Sequence, residues 1–258
     1  MVKDKVKVAL CQLKSSGGEE GGVARIVESI RRAGKRGCDI VCFSESLMGG
    51  IIPVNSAKVK SIQEACGLAG VWCILTENFM EKGRVHKMAL LIGRDGKIKG
   101  RYRKVFLCGD HRLVEPGRKF PVFETDFGKI GIAICWDVSF SRPFVSMVRR
   151  GAKIIFCPML WQAETWIHRT RFREIERRLL ESILLARASE NLVYMAFVNE
   201  YDPGLDDLIP FTAVADPHRI IRQLYGREGT IYINLDLREL QKIRRKYKAL
   251  YEKEVHSL

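Results

Sequence analysis

The sequence predicts a mixed α/β fold with helices on the outer faces of its sheets, and three observations predict it. Apolar residues switch between strand-like and helix-like periodicity all along the 258-residue chain. An Asp95-Gly96 pair inside MALLIGRDGKIKGRYRK (88–104) signals at least one antiparallel hairpin. No Gly/Ser/Pro-rich linker and no internal repeat interrupts the pattern, so residues 1–258 are expected to form a single domain.

Taken in order, VKVALCQL (6–13) alternates as a strand and VARIVESIRRAGKRG (23–37) spaces its apolar residues as a helix. CDIVCFSE (38–45) is a short buried strand, and GGIIPVNS after it reads as a Gly-Pro loop. A helix over 57–69 leads into the strand VWCILTENF (71–79), then the hairpin, then a loop over 106–119. PVFET and GKIGIAIC follow as strands, FSRPFVSMVRRGA (140–152) as a helix and KIIFCPML (153–160) as a buried strand. A long helix over 165–190 places Ile175, Leu179, Ile183 and Ala186 on one face. NLVYMAFVNE, FTAVADP and TIYINLDL are further strands, and a basic helix closes the chain.

Composition narrows the function. An apolar fraction of 47% fits a globular core rather than a disordered chain. No run of 18 apolar residues exists, so a membrane span is not expected. The N-terminus enters a charged strand at once, unlike a secretory signal, which points to the cytoplasm. Eight cysteines lie mostly inside apolar runs without a C-x-x-C pair, so neither a zinc site nor a disulfide framework is indicated. The net charge of +14 is spread over helices with acids between the bases, as in HRTRFREIERR, which marks solvated faces. Without a basic motif interleaved with aromatics, no nucleic-acid partner is expected.

Three reactive side chains stand where a buried strand gives way to a loop: Glu45 after DIVCFS, Lys104 after GRYR and Cys135 after GKIGIAI. Singly, each has an ordinary explanation: a cap, a solvated lysine, a buried thiol acting as a small hydrophobe. Together, DIVCFSES, GRYRKVFL and GKIGIAICWDVSF resemble the glutamate, lysine and cysteine segments of the nitrilase superfamily of carbon–nitrogen hydrolases. RRGAKIIFCPMLW, ARASENLVYMAFVN and VADP resemble the blocks that follow, in the same order, over nearly the whole chain.

The resemblance implies a four-layer α-β-β-α sandwich, a homodimer or larger assembly, and neither cofactor nor metal. It also implies hydrolysis of a non-peptide C–N bond in a small linear amide or N-carbamoyl compound, with Cys135 forming a thioester. A thiol of ordinary pKa needs a base, a role for Glu45, and the developing oxyanion needs positive charge, a role for Lys104 with the backbone N–H of Trp136 beside it. A second acid expected in the loop after the lysine falls on Asp110, counted back from Pro116, with Glu115 as substitute. Trp161 and Gln162 are expected to line the substrate pocket.

The chain departs from the family pattern at Ser139, at Ser141-Arg142-Pro143, at Pro210-Phe211-Thr212 and at His218-Arg219. It also carries His86-Lys87-Met88 where a Tyr-Asn pair is frequent. These departures keep a second reading open, that of a binding scaffold with lost or altered activity.

Overall fold

Parallel strands buried on both faces need near-continuous apolar runs, and IVCFSE, IIFCP and YMAFV supply them at the centres of two sheets. The computed structural model describes residues 3–14, 19–109, 113–163 and 172–255. One sheet holds β1 (Lys5–Gln12), β2 (Ile40–Glu45), β3 (Ile51–Pro53), β4 (Trp72–Glu81), β5 (Arg84–Ile92), β6 (Ile98–Arg103) and β13 (Gly229–Asp236). The other holds β7 (Val122–Thr125), β8 (Gly128–Ile132), β9 (Ile154–Pro158), β10 (Tyr194–Val198), β11 (Phe211–Ala215) and β12 (Ile220–Tyr225).

The strand orders are β13-β1-β2-β4-β5-β6, with β3 beside β4, and β12-β11-β10-β9-β8-β7. Parallel pairs β1/β2, β2/β4, β8/β9 and β9/β10 form the middles, and antiparallel strands flank them. Such a sheet gathers its loops at the carboxyl ends of the parallel strands, where α/β proteins place their ligands.

Helices complete four layers. On the first sheet, Ile26 and Ile30 of α1 (Glu19–Lys35) and Ile62 of α2 (Ala57–Ala69) pack with Val41 and Phe43 of β2. Ser56 caps α2, its hydroxyl accepting from the Val59 amide, and Gly70 ends it in the left-handed conformation. The core between the sheets joins Leu10, Cys42 and Ile74 to Ile132 and Phe156. It continues into Phe144 and Met147 of α3 (Arg142–Arg149) and Leu180 and Leu184 of α4 (Arg173–Asn191). Gly131 of β8 lets α3 pack closely here, since a Cβ at this position would lie 2.6 Å from Met147 Sδ and Met147 would have to shift. The last helix, α5 (Leu237–Val255), follows β13, and no helix among the described residues is long and apolar enough to cross a membrane.

Three sequence expectations are corrected. GGIIPVNS contains strand β3, and β12 has no counterpart among the expected strands. The buried face of α4 is not Ile175/Leu179/Ile183/Ala186: Glu176, Leu180, Leu184 and Ala188 point inward, leaving Ile175 52% and Leu179 36% exposed. The helix carries two apolar stripes, and on the inward one Glu176 accepts a hydrogen bond from Trp161 Nε1 at 2.9 Å.

One carboxylate ties the sheets together at the site end. Asp137 is fully buried and sits in the 3-10 turn Cys135–Ser139 that follows β8. Its Oδ2 accepts from Tyr102 Oη of β6 at 2.7 Å and from the Ile134 amide at 2.8 Å, and its Oδ1 accepts from the Phe106 amide at 3.0 Å. Burial pushes its pKa up to about 6, with these three donors opposing the rise. A side-chain amide in place of this carboxylate would turn an NH2 towards groups that are all donors. Asp137→Asn is therefore expected to cost about 2–4 kcal/mol and lower the melting midpoint by roughly 5–10 °C. A thermal melt checks this, and Tyr102→Phe, which leaves two donors in place, should shift the midpoint far less.

Candidate active site

Alternation along β2 alone would turn Glu45 away from the core between the sheets. A bulge prevents it: Cys42 lies opposite Ile74 and Glu45 opposite Thr76, so β2 takes one step more than β4. The extra residue re-aims the side chain inward. The Glu45 amide then donates across the gap to Met159 O, just beyond β9, at 3.1 Å. Glu45 and Lys104 are both about 3% exposed, and Lys104 Nζ lies 3.3 Å from Glu45 Oε1.

Lys104 continues the β5/β6 pairing, its amide donating to Lys87 O at 2.8 Å. The two lysines are thus cross-strand neighbours, and Lys87 Nζ also reaches Glu45 Oε1, at 3.5 Å. Burial alone would raise the Glu45 pKa, but the Lys104 and Lys87 ammonium groups outweigh it and hold the carboxyl below its ordinary value. Its second oxygen, Oε2, is buried and has no hydrogen-bond partner among the described residues.

Cys135 follows β8 with φ +45°, a left-handed conformation that non-glycine residues rarely hold. The Asp137 bonds to the Ile134 amide and to Phe106 maintain that turn. Its side chain interacts with Glu45, and its Sγ lies 3.8 Å from Leu160 O. Burial first, and then the Glu45 charge, push the thiol pKa up to about 12, against the pull of Lys104. At rest the pair is therefore a thiol beside a carboxylate, with the Lys104 ammonium 3.3 Å from one carboxylate oxygen and its charge felt by the thiol as well. That is a nucleophile, a base and a positive charge in one enclosed space, the set that acyl transfer requires.

The other candidates divide. Trp136 is the second residue of the 3-10 turn, and its ring lies 5.5 Å from that of Trp161. Trp161 is 2% exposed, and its amide donates to Asn199 Oδ1 at 3.0 Å. Phe140 stacks on Phe106 at 3.9 Å and meets Trp136 edge-on, giving the turn an aromatic wall. Gln162 Nε2 donates to Asp207 at 2.9 Å, so its amide is committed there. Glu115 is not brought to the cluster: its carboxylate pairs with exposed Arg84 at 3.2 Å, and its carbonyl bonds His86. Asp110 lies outside the described residues.

Sequence reasoning missed Lys87, Asp137 and Glu77. Glu77 is fully buried on β4, its Oε1 accepting from the Met48 amide at 2.9 Å, and burial pushes its pKa up to about 8. The replacement of the frequent Tyr-Asn pair by His86-Lys87 was the one signal available for Lys87.

The chain is similar to known proteins over nearly its whole length. Mouse omega-amidase NIT2 is 25% identical over 279 aligned positions, covering 96% of this chain and 94% of that protein. The crystal structure of Saccharomyces cerevisiae Nit3, a nitrilase-superfamily member, superposes with a TM-score of 0.83 at 22% identity, covering 95% of each chain. An amidase from Nesterenkonia sp. AN1 superposes at 0.77 with 18% identity over 95% of this chain and 96% of that one. In that structure, of a Glu-to-Gln variant, the acetamide moiety of fluoroacetamide is covalently added at the active-site cysteine. The profile of the carbon–nitrogen hydrolase family matches residues 7–245, and the chain belongs to that family.

Proposed function

We propose that this hydrolase cleaves the C–N bond of a small linear amide or N-carbamoyl compound through a thioester on Cys135. The observation that carries the reading is the unpartnered Oε2 of Glu45, on a carboxylate whose other oxygen is held by Lys104 and which lies against the Cys135 thiol. Glu45 takes the Sγ proton as sulfur attacks the carbonyl carbon. The displaced π pair becomes an oxyanion facing the Lys104 ammonium and the Trp136 N–H. Protonated Glu45 gives its proton to the departing nitrogen, the C–N bond breaks, and ammonia or an amine leaves. Glu45 then deprotonates water, hydroxide attacks the thioester, and the proton returns to sulfur as the acid is released. The omega-amidase activity named for the mammalian relatives favours a terminal amide on a short chain. Trp136 and Trp161 would wall the acyl portion.

Intact-protein mass after brief exposure to amides, N-carbamoyl compounds and nitriles tests the mechanism. Adducts on Cys135 are expected, and their masses identify the acyl group. Glu45→Gln should slow turnover about 10²–10⁴-fold and make such adducts persist. If no compound modifies Cys135 in a folded protein, the chain is a binding scaffold instead.

The enzyme is also proposed to work as a homodimer. Val145 on α3 and Phe172, Ile175 and Leu179 on or beside α4 leave apolar side chains on the surface, a pattern typical of subunit contacts. Sedimentation should give twice the chain mass for the native protein. Ile175→Glu with Leu179→Glu should give the single-chain mass, and a native monomer would refute the assembly.

A further inference from the structure

We infer that Lys87 is a positioning residue of the catalytic site, a second cation that acts through Glu45. The inference rests on the proposed roles of Glu45 and Cys135. Two like charges directly opposite on neighbouring strands repel, yet Lys87 and Lys104 occupy such a pair and are both almost wholly buried. Glu45 Oε1, at 3.5 and 3.3 Å from the two ammonium nitrogens, is what makes the pair tolerable. Lys87 is itself fixed, donating to Ser46 Oγ at 2.6 Å. Ser46, with φ +70°, holds a left-handed backbone immediately after Glu45. A strained residue that presents its hydroxyl to a buried ammonium marks a constructed arrangement rather than an incidental contact.

The consequence is directional. With both ammonium groups on Oε1, the carboxylate cannot rotate freely, and Oε2 is the oxygen left to receive the thiol proton. The second positive charge also keeps Glu45 ionised to lower pH than Lys104 alone could. The titratable and charged groups facing Glu45 and Lys87 are Lys104 after β6, Cys135 after β8, Cys157 on β9 and Glu77 on β4, with Glu200 beyond β10 acting on Glu77. Glu77, pushed up to about 8, carries its proton throughout the acid range and does not neutralise Lys87 there.

The test is the pH dependence of Cys135 alkylation by iodoacetamide, which needs no knowledge of the natural substrate. Wild type should show an acid limb set by Glu45 ionisation. The folded pKa of Glu45 is depressed, so its ionised form persists as pH falls, and removing Lys87 must raise the limb. Lys87→Met and Lys87→Gln should move it up by about 1–3 pH units, whereas Lys87→Arg, which keeps the charge, should move it much less. Should the Met variant fail to fold, the comparison of Gln with Arg carries the same test. Limbs that coincide in wild type, Gln and Arg proteins would overturn the inference. Glu45→Gln separates the two levels: if it retains the wild-type limb, the reading of Glu45 as base fails, and if it abolishes the limb while Lys87→Gln leaves it in place, only the role of Lys87 fails.

Discussion

Three groups from separate strands must meet across the gap between two sheets, and that requirement governs the rest of the structure. Glu45 and Lys104 belong to one sheet, and Cys135 to the turn after β8 of the other. Hydrophobic burial can press sheets together, but it is non-directional and does not set their relative slide to within a hydrogen bond. Asp137 does, because one side chain receives Tyr102 and Phe106 from the lysine side and Ile134 from the cysteine side. The Glu45 amide bond to Met159 O is a second stitch of the same kind.

Electrostatics follows from that enclosure. A carboxylate out of water is costly unless it is paired, and Glu45 stays ionised because two ammonium groups reach one of its oxygens. The lysines in turn depend on Glu45, since a pair of buried cross-strand cations without a counterion would repel. The proposed base is thus also a structural counterion, so a variant at this position reports on folding as well as on chemistry and has to be read with a thermal melt beside it.

Much of this was legible in the sequence for a simple reason: a strand-end residue is marked by where an apolar run stops. Glu45 and Cys135 each stand at such a stop, whereas Lys104 follows the polar edge strand IKGRYR and was marked only by its resemblance to the family's lysine segment. The alternation of periods conveyed the layered α/β architecture. What remained hidden depends on geometry between segments. The bulge that re-aims Glu45 changes no local composition. Asp137 looks like any acid after a strand until its three donors converge. Glu115 adjoins Pro116 as a site acid might, yet its side chain is drawn outward by Arg84. On α4 two apolar stripes lie side by side, and the one that faces in carries Glu176, which accepts a hydrogen bond from Trp161 that local periodicity does not reveal. β3 is three residues beside a glycine pair, and β12 mixes Arg and Gln into its run, so neither gives a strand-like signal.

The resting state of Cys135 bears on how the protein ages. Thiolates attack peroxides and disulfides, so a cysteine held permanently as thiolate is consumed by the oxidants it encounters. Here the thiol is pushed up to about 12 and is only 7% exposed, so at rest its sulfur is protonated and shielded. All eight cysteines are free, and with only Cys108 more than slightly exposed, seven of the eight thiols present little surface to an oxidant.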